Sequence, residues 1–194
     1  TYIVKSNKKH FSAAGPEYLR EFLREKQSKI EEQKRQIDRI IPHLKAIQTR
    51  KPDTITFQLY EGQRGIKSFY DKIFESLKKG ESQYIIGAPR IANEKLEGFL
   101  LAWHKKRIKK GIFCKYIYDS NVRDYGQVRE KMRYTQVRYL PQNIISPVWI
   151  EIAKNIVGIG HIKGKNTVMF YIDDEEIAKT YLNYFNLIWK VSIK

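Results

Sequence analysis

His161 and Lys163 lie two positions apart in the segment GIGHIKGKNTVMFYIDD, residues 158–174. A histidine can attack the phosphorus of a phosphodiester, while a nearby lysine neutralises the phosphate oxygens. One known form of this chemistry also uses an aspartate five residues after the lysine, and Val168 occupies that position. The pattern is therefore incomplete, and it argues against phosphodiester cleavage.

Other catalytic and metal-binding signatures are also missing. The sequence contains no P-loop, no His-Glu-x-x-His and no Gly-x-Ser-x-Gly, and its four histidines, at positions 10, 43, 104 and 161, form no pair at helical spacing. His104, within AWHKKR, is expected to be solvated at an exposed helix end, and the acidic run at 173–176 is expected to cap a helix. We therefore predict that the chain is not an enzyme and that it has no cofactor and no metal site.

The composition is that of a globular protein with one good core, since 42% of the 194 residues are hydrophobic and 30% are charged. No apolar run is long enough to cross a bilayer, which predicts a soluble, cytoplasmic protein without a membrane partner. The net charge of +16 favours polyanionic partners such as nucleic acid. The single cysteine, Cys114, lies in a predicted strand and is expected to be an inert core residue.

A heptad pattern follows a short β segment at residues 1–15. Residues 16–50 are predicted to form a dimerisation helix that is kinked or restarted at Pro42. An alternative is one amphipathic helix that lies on its own globular domain. The residues expected at the helix pairing seam are Leu19, Leu23, Ile30, Ile37, Ile40 and Leu44.

Residues 54–194 alternate between strand and helix patterns. Helices placed between strands predict a largely parallel sheet that is covered on both faces, with an antiparallel region of three short strands late in the chain. The fold class is therefore α/β, in which a long coiled-coil-like helix precedes a mixed sheet.

The order of these segments resembles the TrmB-type transcriptional regulators, which are abundant in archaea. HFSAAGPEYLREFLREKQSKIEEQ is similar to the junction between a winged helix-turn-helix and a dimerising helix. The segment TFQLYEGQRGIKSFYDKIFESL resembles the start of the family's effector domain, and IDDEEIAKTYLNYFNLIW resembles its closing helix.

The resemblance implies a homodimer whose effector domain, at residues 54–194, has a phospholipase D-like fold without the catalytic motif. In the phospholipase D superfamily that motif occupies the strand before the one with His161, here SPVWIEIAKN. The resemblance also implies that DNA is read by a winged helix-turn-helix that would precede Thr1. The effector in such regulators is often a sugar.

A ligand pocket, if the sheet has one, is expected beyond the carboxyl ends of its strands. Arg90 could pair with an anionic group, Asp119 could accept hydrogen bonds from sugar hydroxyls, and Trp149 could stack on a sugar ring. A glycine in YEGQRGIK could let the backbone approach an anion at a helix N-terminus. The predicted ligand-binding residues are Gly62, Arg90, Asp119, Ser120, Trp149 and His161.

The sequence is also compatible with two other functions. A divergent phospholipase D-like nuclease or phosphodiesterase would depend on His161. A basic architectural protein would bind DNA through the lysines and arginines of the long helix, with a strong dependence on salt.

Overall fold

The computed structural model describes residues 2–5, 8–11, 15–47, 55–141 and 144–194, with side chains described from residue 15 to 43, from 55 to 141 and from 144 onward. The chain divides into two compact units, Thr1–Asp53 and Thr54–Lys194, called here the first and second units. No helix in the described part of the chain is long and apolar enough to cross a membrane.

The described residues of the first unit form two paired antiparallel strands and one long helix. Strands β1 (Tyr2–Lys5) and β2 (Lys8–Phe11) pair with each other, and helix α1 spans Glu17–Ile47. The helix continues through Pro42, so the predicted restart at this residue is not observed. Residues 1, 6–7, 12–14 and 48–50 of the predicted segments, and residues 51–54 after them, lie outside the described residues.

The predicted pairing seam of α1 faces solvent in the single chain. Five of its six side chains are each more than half exposed, while the side chain of Leu44 lies outside the described residues. A row of large apolar side chains along an isolated helix costs hydration free energy unless a partner covers it. The five exposed side chains are those of Leu19, Leu23, Ile30, Ile37 and Ile40.

The second unit is a seven-stranded mixed sheet with helices on both faces. Its strands lie in the order β3-β9-β8-β7-β4-β5-β6. The strands are β3 (Thr56–Glu61), β4 (Ser82–Ala88), β5 (Phe113–Tyr118), β6 (Thr135–Tyr139), β7 (Val148–Ala153), β8 (Ile156–Lys163) and β9 (Asn166–Asp173). The helices are α2 (Gly62–Ser76), α3 (Arg90–Lys110), α4 (Arg123–Glu130) and α5 (Glu175–Val191).

The prediction of a largely parallel sheet is wrong. Among the strands in the described part of the chain, only β4, β5 and β6 pair in parallel, because α3 and α4 carry the chain back across the sheet between them. The strands β7, β8 and β9 form an antiparallel meander, which joins the sheet through an antiparallel pair between β7 and β4. Strand β3 then pairs antiparallel with β9 and forms one edge of the sheet.

Two hydrophobic cores lie on opposite faces of the sheet, as predicted for a sheet that is covered on both sides. The larger core includes Phe69 of α2 and Trp103 of α3, and the smaller one is centred on Phe185 of α5. Cys114 is buried in the larger core, and burial raises the pKa of its thiol to about 12, which agrees with the predicted inert role.

Two helix ends in the second unit are capped, and the predicted cap within the acidic run at 173–176 is confirmed. Gly111 ends α3 with a positive φ of 76°, and the carboxylate of Asp174 accepts a hydrogen bond from the backbone N–H of Ile177 at 2.9 Å.

The face of the sheet that α5 covers remains open at β3 and β9, where Phe57, Leu59 and Phe170 are each more than half exposed.

Candidate functional site

Arg90, the first residue of α3, is already paired in the structure. Its guanidinium donates two hydrogen bonds to the carboxylate of Asp124, both at 2.9 Å, and a third to the backbone carbonyl of Asn121 at 2.7 Å. The fork geometry of arginine favours this two-point pairing with a carboxylate. An anionic ligand at Arg90 would therefore have to compete with Asp124, a partner that the sequence did not reveal.

Asp119, which follows β5, is fully buried, and its carboxylate is hydrogen-bonded to the backbone of the same chain. One carboxylate oxygen accepts a hydrogen bond from the backbone N–H of Ser146 at 2.8 Å, whereas the other is buried with no hydrogen-bond partner among the described residues. Burial raises the pKa of Asp119, although the hydrogen bonds from Ser146 act in the opposite direction. The predicted contact with sugar hydroxyls would require this segment to move. Ser120 is half-buried at the start of a single 3-10 turn.

The segment that contains Ser146 and Pro147 crosses the carboxyl ends of β4 and β5. Gly87 has a positive φ of 67°, and a Cβ atom at this position would lie 2.8 Å from the side chain of Ser146. The ring of His161 is bonded to the backbone carbonyl of Pro147 through Nδ1 at 3.1 Å. Because a carbonyl oxygen only accepts, Nδ1 carries the hydrogen, and Nε2 of a neutral ring keeps its lone pair. The segment thus links Asp119 to His161.

Trp149 is buried within the larger core rather than exposed to a ligand. Its indole N–H donates to Glu151 at 3.1 Å, and its ring packs so closely on Gly160 that a Cβ atom there would overlap it. Stacking on a sugar would require the indole to leave this position. Gly62 begins α2 with a positive φ of 64°, is exposed, and has no atom within 4 Å of a Cβ added there.

A small cavity lies below the carboxyl ends of β4 and β5. Its volume is about 20 Å³, which accommodates about one water molecule and no sugar. Trp149 lines this cavity, whereas the other five predicted ligand-binding residues do not. Its polar and aromatic lining includes Tyr70, Asn93, Tyr116, Tyr118, Trp149 and Glu151.

Glu151 is the buried centre of a hydrogen-bond network that the sequence analysis missed. The hydroxyl of Tyr70 and the indole N–H of Trp149 donate to one carboxylate oxygen, and the side-chain amide of Gln83 donates to the other. Burial raises the pKa of Glu151 to about 7, against the opposing effect of these hydrogen bonds. In the sequence, this network is indicated by a single carboxylate within the otherwise apolar strand VWIEIA.

A second buried network corrects the interpretation of His104 as a solvated residue. His104 and Arg107 are almost fully buried, and Arg107 donates to Nδ1 of His104 at 2.7 Å. His104 Nε2 then carries the hydrogen, which places a donor 3.2 Å from the hydroxyl of Tyr116. Burial and the neighbouring Arg107 lower the pKa of His104 well below its usual value, so the ring is neutral.

No group of three or more histidine, cysteine, aspartate or glutamate side chains in the described part of the chain could hold a metal ion. Val168 occupies the aspartate position of the His-x-Lys-x4-Asp pattern. It lies directly opposite His161 on β9. The side chain of Lys163, at the end of β8, is exposed.

No protein-family model matches the chain, and no curated protein matches it either. Solved structures with a similar fold were found. TrmBL2, an archaeal chromatin protein with a novel mode of DNA binding, is 13% identical with a TM-score of 0.50, and the match covers 91% of this chain and 69% of TrmBL2.

Two further solved structures match the chain over 72% of its length. NucT from Helicobacter pylori is 15% identical, with a TM-score of 0.52 and 99% of its own chain covered. Nuc from Salmonella typhimurium, a phospholipase D family member, is 12% identical, with a TM-score of 0.51 and 97% covered.

These matches overturn the prediction that the chain is not an enzyme. That prediction was inferred from the incomplete His-x-Lys-x4-Asp pattern and from the lack of other catalytic signatures, yet the chain shares its fold with Nuc, a phospholipase D family member. The mixed sheet, the helices on both of its faces and these structural neighbours together show that the chain has a phospholipase D-like α/β fold.

Proposed function

We propose that the chain is the dimerisation and effector-sensing part of a TrmB-type transcriptional regulator, which controls an attached winged helix-turn-helix DNA-binding domain. The likeness to TrmBL2 carries this proposal, because it extends over 91% of the chain and thus beyond the second unit. The net charge of +16 supports a function close to DNA.

Dimerisation through α1 is supported by its exposed apolar stripe. The helix has 31 residues, which corresponds to a length of about 45 Å at 1.5 Å per residue. Pairing with the same stripe of a second copy would remove these side chains from water, as in a left-handed coiled coil.

Effector binding is proposed at the carboxyl ends of β4 and β5, where Arg90, Asp119 and Ser120 directly follow the strands and Asp119 is bonded to the backbone of Ser146. An effector that replaces Ser146 as the partner of Asp119 would displace the segment that crosses these strand ends and so open the site. A ligand with a higher affinity for this opened state shifts the population towards it, and the dimer transmits the change to the DNA-binding domains. A sugar remains the proposed chemical class.

A thermal-shift screen of the whole chain tests this function. Mono- and disaccharides, sugar phosphates and nucleotides are compared, since a ligand that binds the native state raises the melting temperature in a dose-dependent manner. The expected result is a shift for one chemical class that disappears in the double variant Arg90→Ala, Asp119→Asn but persists in Lys190→Ala. A shift that survives the double variant places the effector elsewhere, and no shift across the panel contradicts effector sensing.

Phosphodiester cleavage is the second candidate function, favoured by the fold of Nuc and by the orientation of His161. Nδ1 of His161 is bonded to the backbone carbonyl of Pro147, so Nε2 is available as a nucleophile. Lys163 follows two residues later on the same strand. The test is hydrolysis of bis(p-nitrophenyl) phosphate in the presence of EDTA. This function predicts turnover that is lost in His161→Ala and retained in Lys179→Ala. Absent turnover, or equal turnover in both variants, counts against it.

A further inference from the structure

Three turns of the second unit meet at the amino ends of β4, β5 and β6. The backbone N–H of Gly80 donates to Gly111 at 2.9 Å, and that of Phe113 donates to Glu81 at 2.8 Å. The N–H of Cys114 donates to Tyr134, also at 2.8 Å. These bonds hold the turns at 78–81, 109–112 and 131–134 side by side.

The buried guanidinium of Arg107 holds two of these turns by hydrogen bonds. It donates to the backbone carbonyls of Ile112 and Tyr134, both at 3.1 Å. Because the guanidinium forms several bonds in one plane, the turns keep a defined separation. The side chains that project from them therefore lie on an ordered surface.

This surface is strongly basic. Five of its six cationic side chains are exposed; the sixth, Lys110, is half-buried and lies 4.2 Å from the centre of the ring of Phe74. The surface, called here the basic edge, comprises Lys78, Lys79, Lys109, Lys110, Lys131 and Arg133.

Few acidic side chains neutralise the basic edge. Glu81 is the carboxylate within the three turns, and it already pairs with Lys154 at 3.2 Å. Glu75 and Glu130 are exposed on the adjoining helix ends. The helix dipole at the end of α3 explains one or two cations in its last turn, but not cations contributed by three separate turns.

Two aromatic rings accompany these charges: that of Phe113 is exposed, and that of Tyr134 is half-buried. Phe113 is 39% exposed, and its ring centre lies 5.0 Å from that of Tyr134. The guanidinium of Arg133 lies 5.1 Å from the ring centre of Tyr134. Arginine and lysine next to flat apolar surfaces suit a nucleic acid, which offers phosphates and sugar or base surfaces together.

We propose that the basic edge binds the phosphate backbone of duplex DNA. This inference rests on the proposed function, to which it adds a DNA contact made by the effector domain itself, beside that of the attached DNA-binding domain. Binding through phosphates is independent of sequence and releases counterions, so it weakens steeply as salt increases.

The test measures binding of the whole chain to a fluorescent 30-base-pair duplex of arbitrary sequence, by anisotropy between 50 and 200 mM salt. The edge variant is Lys78→Glu, Lys109→Glu, Lys131→Glu, with one substitution in each turn. The control variant, Lys67→Glu, Lys165→Glu, Lys190→Glu, has the same net charge and alters three exposed lysines outside these turns. Melting temperatures show whether both variants remain folded.

The edge variant is expected to lose at least tenfold in affinity at 100 mM salt, and its slope of log affinity against log salt is expected to flatten by about 2 to 3. The control is expected to lose less than threefold. Equal losses of affinity in the two variants would overturn the proposal, because they would mean that net charge alone attracts DNA. The absence of binding by the parent chain at 50 mM salt would also overturn it. A chain that responds to an effector but does not bind this duplex retains the proposed function and refutes only the basic edge.

Discussion

Tyr70 on α2 donates its hydroxyl hydrogen to Glu151 on β7, although the two residues are 81 positions apart in the chain. The bond joins a helix to the middle of the sheet inside the larger core. Gln83 on the neighbouring strand β4 supplies a second donor through its amide, whose oxygen has no partner among the described residues. A protonated Glu151 could donate to that oxygen after the amide turns over, which favours the neutral acid.

We predict that the free energy of unfolding decreases as the pH rises from about 4.5 to about 7. Burial raises the pKa of Glu151 from 4.5 in the unfolded chain to about 7 in the folded one, so only the unfolded state releases this proton in that window. The contribution is fully present below pH 4.5 and is lost as the pH passes 7. A shift of this size corresponds to roughly 3 kcal/mol.

Urea denaturation of the parent chain and of Glu151→Gln at pH 5 and pH 8 measures this contribution. The glutamine variant cannot ionise, so its stability should vary less between the two pH values. Glu75→Gln, which alters an exposed carboxylate, should vary like the parent. An unchanged pH dependence in Glu151→Gln would contradict the assignment.

Replacing Tyr70 by phenylalanine should destabilise the chain by about 1–3 kcal/mol, because a buried carboxyl oxygen loses a donor. The loss should be larger at pH 8 than at pH 5, since the charged carboxylate depends more on its donors. Tyr60→Phe is the matched control, because its hydroxyl bonds at 2.6 Å to the exposed Gln58. Urea midpoints that are equal for the two variants would disprove a special role for Tyr70.

Arg107→Met should lower the free energy of unfolding by about 3 kcal/mol or more. The substitution leaves the carbonyls of Ile112 and Tyr134 and Nδ1 of His104 without this buried donor. Lys106→Met changes the adjacent exposed residue and should remain within about 0.5 kcal/mol of the parent. Guanidinium denaturation compares the two variants, and similar losses in both would refute this role of Arg107.

Ile30→Asp should convert a dimer into a monomer. An aspartate at the centre of the pairing seam of α1 places a charge where two apolar stripes would meet. Light scattering after size-exclusion chromatography should give twice 23.1 kDa for the parent and 23.1 kDa for the variant. Ser28→Asp, on the other side of the helix, should remain dimeric. A monomeric parent would rule out this interface.

Periodicity in the sequence was enough to predict the order and type of the elements in the second unit. It could not give the strand order, because the pairing of β7 with β4 depends on contacts between segments that are far apart in the chain. The largely parallel sheet was therefore a wrong inference from a correct series of helices and strands.

The buried polar residues show why the site was harder to predict. His104 stands among lysines that suggest an exposed helix end, but helical spacing turns Trp103, His104 and Arg107 inward and Lys105 and Lys106 outward. The partners of Arg90 and Asp119 are likewise set by chain crossings, which leave no local pattern in the sequence.

Strand β3 lies at the edge of the sheet, and it exposes Phe57 and Leu59 beside open backbone groups. An apolar edge strand of this kind is a template onto which another extended chain can add. At high concentration, or when a partner for the open face is absent, we expect aggregation of the protein to begin by sheet extension from β3.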